Sequence, residues 1–218
     1  GDHQDYLELP VIACAIDRMM EIYAEENGKD HLEINMPDIN QKRIIPLQED
    51  FNEIERGDFL KIALKVLQKR NIVPNKGYHL TIRSKIPINA GLSSSSALTI
   101  SWIQFLIAAF SEQSTSPEEL ALLAYETEVI ESGSSGGKMD QFTIAIGDTI
   151  FLDTNTDQVQ KFNDLKLDLV VGVSGLSKDT FGTLSDLKSN AWKAINQVKA
   201  KIPDFDIAHS SIDRKSVV

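Results

Sequence analysis

Pro87-Ile88-Asn89-Ala90-Gly91-Leu92-Ser93-Ser94-Ser95-Ser96-Ala97 lies between a strand-like run, Tyr78 to Arg83, and a segment from Ala97 to Phe110 that contains neither Gly nor Pro. The order implied is strand, small-residue loop, helix. The first N–H groups of a helix have no intrahelical partner and carry the positive end of its dipole, so such a junction suits a polyanion such as a nucleotide phosphate. Gly91 lets the backbone approach closely, and four successive hydroxyls can donate to phosphate oxygens or ligate Mg²⁺. A serine run can also be a flexible linker, or supply no more than an N-cap. A linker, however, rarely joins a regular strand to a helix that is apolar on every side. Leu98, Ile100, Trp102, Ile103, Phe105, Leu106 and Ile107 surround this one, which places it at the centre of the domain and keeps the loop at its start rigid. The loop is not a Walker A site. The nearest approach to one, Gly133-Ser134-Ser135-Gly136-Gly137-Lys138-Met139, lacks both the Gly-x4-Gly-Lys spacing and a Ser or Thr after the Lys.

Upstream, an apolar strand is expected from Leu9 to Ile16. Alternating runs follow at Met19 to Ala24, Leu32 to Met36 and Ile44 to Leu47. Asn27-Gly28 and Pro37-Asp38 punctuate them, a pattern that favours antiparallel strands. Gly57-Asp58 introduces an amphipathic helix through about Lys69. Downstream, Ser116-Pro117-Glu118-Glu119 combines an N-cap Ser, Pro at the first helical position and Glu at the third, a capping box. That helix is expected to run on through Ile130 to a Gly/Ser turn at Ser132 to Gly137, with Glu126 and Glu131 on a solvated face. Thr149 to Leu152 and Val159 to Phe162 read as strands. Leu167 to Val173 is nearly continuous in Leu and Val and reads as a buried strand. A last helix is expected over about 182–199, followed by a polar, Pro-containing tail from about 203 to 218.

The chain has 218 residues, 42% hydrophobic and 25% charged, long enough for a sizeable core. Its formal net charge of -10 argues against a surface that wraps nucleic acid or binds an anionic membrane. No apolar stretch is long enough to span a bilayer, and the sequence shows no signal peptide, so a cytoplasmic location is expected. Cys14 is the only cysteine and reads as core packing; no His pair has metal spacing.

Three segments carry a family resemblance. The Pro-x-x-x-Gly-Leu-Ser-Ser-Ser-Ser-Ala pattern resembles the phosphate loop of the GHMP kinases. Gly1-Asp2-His3-Gln4-Asp5-Tyr6 is similar to the galactokinase signature Gly-Glu-His-Thr-Asp-Tyr, with Asp2 for Glu and Gln4 for Thr. Gly136-Gly137-Lys138-Met139-Asp140-Gln141-Phe142 resembles the galactokinase Gly-Ile-Met-Asp-Gln-Phe, with Lys138 for Ile. The implied fold is a single α+β domain over residues 1–218, a mostly antiparallel sheet with helices packed on one side.

The resemblance implies ATP-dependent phosphorylation of a sugar, most simply at the anomeric hydroxyl of galactose or a relative. Gly91, Leu92, Ser93, Ser94, Ser95 and Ser96 would bind ATP. Asp2, His3, Asp5 and Gly137 would bind the sugar, together with Asp140, which would also act as general base or electrostatic partner. Ser95 and Glu128 would hold Mg²⁺, because Glu128 precedes Asp140 by the interval that separates the corresponding pair in galactokinases. Taken alone, Asp140 could equally be a helix N-cap. The family's upstream Arg, its second domain and the Tyr of its later loop have no counterparts here, although Ser174 to Thr180 can border the substrate. A piece truncated at both ends, with little activity alone and of unknown oligomeric state, is therefore expected. Two alternatives stay open: a kinase of another small alcohol, such as a mevalonate-pathway intermediate, and a non-catalytic sensor of sugar and nucleotide.

Overall fold

The computed structural model describes residues 2–48, 50, 51, 53–87, 90–163, 165, 167–172 and 180–210, leaving aside the side chains of residues 2 and 180–184. The fold is α+β, with two sheets and helices packed on them. A short α1 (Asp2–Asp5) leads into β1 (Val11–Cys14), shorter than the strand expected from Leu9 to Ile16. Then come β2 (Met20–Glu26), β3 (His31–Met36) and β4 (Gln41–Pro46). After α2 (Phe59–Gln68), β5 (Tyr78–Ser84) feeds the serine loop and α3 (Ser94–Phe110). The chain continues through α4 (Pro117–Tyr125), α5 (Met139–Ile146), β6 (Thr149–Asp153), β7 (Gln158–Phe162) and α6 (Thr180–Lys201).

The four-stranded sheet has the order β2-β5-β3-β4 and the three-stranded sheet the order β1-β6-β7. Alternation had suggested that β2, β3 and β4 are antiparallel neighbours, but only β3 and β4 are. The later strand β5 lies between β2 and β3, antiparallel to the first and parallel to the second. Period two fixes which face a residue occupies, not which strand lies alongside. Leu32, Ile34, Met36, Ile45, Leu80 and Ile82 point inward and form one core with α2 and α3. Tyr23, Ile44 and His79 on the other face are exposed, so this mixed sheet packs one face on the core and leaves the other in solvent.

At the centre of this core Trp102 is fully buried, and its Nε1 donates to the Leu60 carbonyl at 3.0 Å. The expectation that α3 occupies the middle of the domain is met. Helix α4 bridges to a second core: Leu120, Leu123 and Ala124 face the first, while Ala121 packs with Val11, Phe142, Ile150 and Leu152 under the three-stranded sheet. Both bonds of the Ser116–Glu119 capping box are present, at 3.0 and 3.1 Å. Asp58 caps α2, accepting from Lys61 N–H at 3.3 Å, and takes both Arg43 terminal nitrogens from β4.

Three readings of the sequence are corrected. Helix α4 does not run on to Ile130 in α geometry but widens at Glu126–Glu131 into one π-helical turn. Glu126 and Glu131 are not merely solvated. Arg70 meets Glu126 at 2.6 Å, and Lys65 and Lys69 meet Glu131 at 2.9 and 2.5 Å, so this turn is tied to α2. Finally, residues 167–172 form neither a strand nor a buried segment: Val170 is 97% exposed, and no described strand pairs with them. Continuous apolarity signals a buried strand only where neighbours cover both faces. Residue 173 and the loop expected at 174–179 lie outside the described residues. The polar tail packs in part, since Phe205 is buried. No helix among the described residues is long and apolar enough to cross a membrane.

Candidate active site

The phosphate-loop reading rests on how α3 begins. Gly91 has φ +74° and Ser93 has φ 54°, ψ 38°; the left-handed region is strained for a non-glycine residue and typically costs about 1–3 kcal/mol. Two left-handed residues turn the chain sharply, and α3 starts at Ser94 rather than at Ala97. Its first helical bond runs from Ala97 N–H to the Ser93 carbonyl at 3.0 Å. The N–H groups of Ser94, Ser95 and Ser96 therefore head the helix, and Ser93 supplies no side-chain cap. Ser95 is exposed, Ser93 and Ser94 are half-buried with Leu92, and Ser96 is buried; Ile88 and Asn89 lie outside the described residues.

Ser96 faces Glu128. Ser96 Oγ donates to Glu128 Oε2 at 2.7 Å, Thr99 Oγ1 donates to Oε1 at 2.8 Å, and Gln141 Nε2 donates to Oε2 at 2.5 Å. The carboxylate is buried in the π-helical turn, and burial pushes its carboxyl up despite the three donors. The nearby charge of Asp140 pushes the same way. Gln141 Oε1 is buried with no hydrogen-bond partner among the described residues. Thr99 and Gln141 were not singled out from the sequence. The available signal was polar residues at helical spacing, Ser96 and Thr99, inside an otherwise apolar helix.

Asp140 is half-buried in the first turn of α5 and is not its N-cap, a position held by Lys138. Its charge pushes the carboxyls of both Glu128 and Asp5 upward, a smaller effect at each than burial. Asp5 accepts from the backbone N–H of Lys138 at 2.9 Å and of Met139 at 3.0 Å. Gly137 lies directly against the Asp5 carboxylate. His3 is exposed, its Nδ1 2.9 Å from the Tyr6 hydroxyl. Asp2 belongs to α1, but its side chain lies outside the description.

The donor set fits a magnesium nucleotide. No group of three or more His, Cys, Asp or Glu side chains capable of holding a metal occurs among the described residues. Mg²⁺ does not need one, since it takes one or two carboxylates and fills its shell with water and phosphate oxygens. Glu128 and the exposed Ser95 hydroxyl would be its protein ligands, although the hydroxyl set against Glu128 is that of Ser96, not Ser95; the orphaned Gln141 oxygen marks a polar spot near the carboxylate.

Residues 58–148 match the family described as the GHMP kinases N terminal domain. The mevalonate kinase of Thermococcus sibiricus is 30% identical over 198 residues, 87% of this chain and 58% of that protein. The galactokinase of Thermococcus kodakarensis is 31% identical over 163 residues, 72% of this chain and 44% of that protein. Among solved structures, Lactococcus lactis galactokinase complexed with galactose shares the fold: TM-score 0.79 and 22% identity, over 95% of this chain and 55% of that one. The chain thus spans about half the length of the curated relatives it matches. The galactokinase branch is not singled out, because the mevalonate kinase match covers more of the chain.

Proposed function

We propose that this chain contributes the phosphate loop and acceptor groups of an ATP-dependent kinase acting on a hydroxyl of a small molecule. The observation that carries this reading is the placement of Glu128. It is a buried carboxylate bonded to the first turn of α3, and the charge of Asp140 reaches it. Phosphoryl transfer asks chiefly for alignment and charge neutralisation. The N–H groups and hydroxyls of Ser93 to Ser96 would donate to phosphate oxygens, and Gly91 with Leu92 would shape the loop around them. Asp140 would accept the proton of the acceptor hydroxyl, or orient that hydroxyl, as it attacks. Mg²⁺, held by Glu128 and Ser95, supplies charge neutralisation on the phosphates.

A sugar, with galactose or a close relative phosphorylated at its anomeric hydroxyl, is the preferred acceptor. Asp2 and His3 offer hydrogen-bonding groups of the kind a polyol needs, whereas both Asp5 oxygens are taken by the Lys138 and Met139 N–H groups. The sequence match to mevalonate kinases favours a second reading in which the acceptor is an alcohol bearing a carboxylate. The assembled charge weighs against it, because an anionic acceptor would meet Asp5, Asp140 and Glu128. Lys138, the cation two residues before Asp140, is already paired with Asp157 at 2.5 Å.

The test is ATP consumption by the full-length protein offered a panel of hexoses and mevalonate. A hexose should stimulate turnover, and Asp140→Asn should lower it by roughly two orders of magnitude or more. Stimulation by mevalonate alone would establish the second reading. Binding of sugar without ATP consumption would make the protein a sensor.

A further inference from the structure

We propose that Asp5 is a positioning residue that sets the direction of Asp140, and that residue 137 is glycine because the Asp5 carboxylate occupies the space a side chain would need. This rests on the kinase reading only in giving Asp140 its role.

Helix α5 starts at Met139, and its cap residue Lys138 makes no side-chain cap bond. A helix start needs acceptors for its leading N–H groups. Here the acceptor comes from the far end of the chain. Asp5 Oδ1 takes the Lys138 N–H at 2.9 Å and Oδ2 takes the Met139 N–H at 3.0 Å. The carboxylate is buried, 8% exposed, and sits at the positive end of the helix dipole. Two bonds from one planar group fix both the position and the tilt of the peptide units that immediately precede Asp140. Asp5 thereby aims Asp140 from α1, an element that is otherwise only one turn long.

Gly137 supports the same reading independently. Its φ is not in the left-handed region, so the backbone there does not call for glycine. Room does. A Cβ at 137 would lie 2.1 Å from Asp5 Cγ and 2.2 and 2.3 Å from its two oxygens, far inside contact distance. Residues 5 and 137 are therefore one device: the carboxylate excludes a methyl group, and the missing methyl group admits the carboxylate.

The experiment has three readouts. Gly137→Ala should lower Tm strongly with Asp5 present and far less in an Asp5→Ala background, because the methyl group then enters vacated space. Equal losses in the two backgrounds would overturn the pairing. Should Asp5→Ala not fold, Asp5→Asn serves, since its amide nitrogen must face one of the two N–H donors. Hydrogen exchange at the Lys138 or Met139 amide should then accelerate about tenfold or more, the consequence of one lost bond; unchanged exchange at both sinks the brace. In turnover assays Asp5→Asn should lower kcat by about a hundredfold, the usual penalty for a misplacement near 1 Å, with acceptor KM changing by less than about threefold. A large rise in acceptor KM at constant kcat would instead make Asp5 a direct acceptor ligand and overturn the proposal. If the wild-type protein consumes no ATP with any acceptor, the kinase reading fails, while the Tm and exchange measurements still decide the brace.

Discussion

The Glu128 carboxylate receives hydrogen bonds from Ser96, Thr99 and Gln141, and burial still outweighs them, so its carboxyl titrates above the ordinary Glu value of 4.5. A group whose pKa is raised on folding binds its proton more tightly in the native state than in the unfolded chain. Its contribution to stability is then greatest below pH 4.5 and is lost as pH rises through the folded pKa. Glu128→Gln should accordingly raise Tm at neutral pH, with the gain fading as the pH falls below 4.5. The same variant should lose divalent-cation affinity by about tenfold or more, measured with Mn²⁺ as a probe. A variant that melts lower at every pH would show that the carboxylate's hydrogen bonds outweigh its burial. Thr99→Val removes one donor while keeping the shape, and should cost about 1–3 kcal/mol in urea unfolding. Glu128 was legible in the sequence through its interval to Asp140 within a family pattern. Its partners were not, because a hydroxyl on an apolar helix says nothing about which helix it will face.

At the scale of elements, strand and helix order were legible almost throughout, and the misses have separate causes. The start of α3 moved from Ala97 to Ser94 because Gly91 and Ser93 take left-handed conformations that tighten the turn, allowing three serines to join the helix. The π-helical turn at Glu126–Glu131 was invisible because α and π geometry demand the same residue types; it is tertiary contact, with α2 outside and α3 inside, that accompanies the wider turn. The capping box of α4, by contrast, was written out in full as Ser116-Pro117-Glu118-Glu119, and both bonds form. Ser116→Ala should lower stability by about 1 kcal/mol, read from the denaturation midpoint, and leave nucleotide affinity unchanged, since α4 starts at the opposite end from Glu128. Trp102→Ala, in the centre of the larger core, should cost about 3–5 kcal/mol.

For the whole molecule, α3 packs between its neighbours so that its buried body fixes the serine turn at its head. The π-helical turn brings Glu128 to that turn, and α5 brings Gln141 onto the Glu128 carboxylate. The run at 167–172 shows the limit of reading architecture from one stretch, since its burial depends on neighbours that its own residues do not specify. The most direct test is a crystal structure of this chain with a non-hydrolysable Mg·ATP analogue. The triphosphate should lie on the N–H groups of Ser94 to Ser96, with the metal on Glu128 and Ser95 and the terminal phosphate facing Asp140. A triphosphate bound elsewhere, leaving the serine turn in solvent, would contradict the kinase reading.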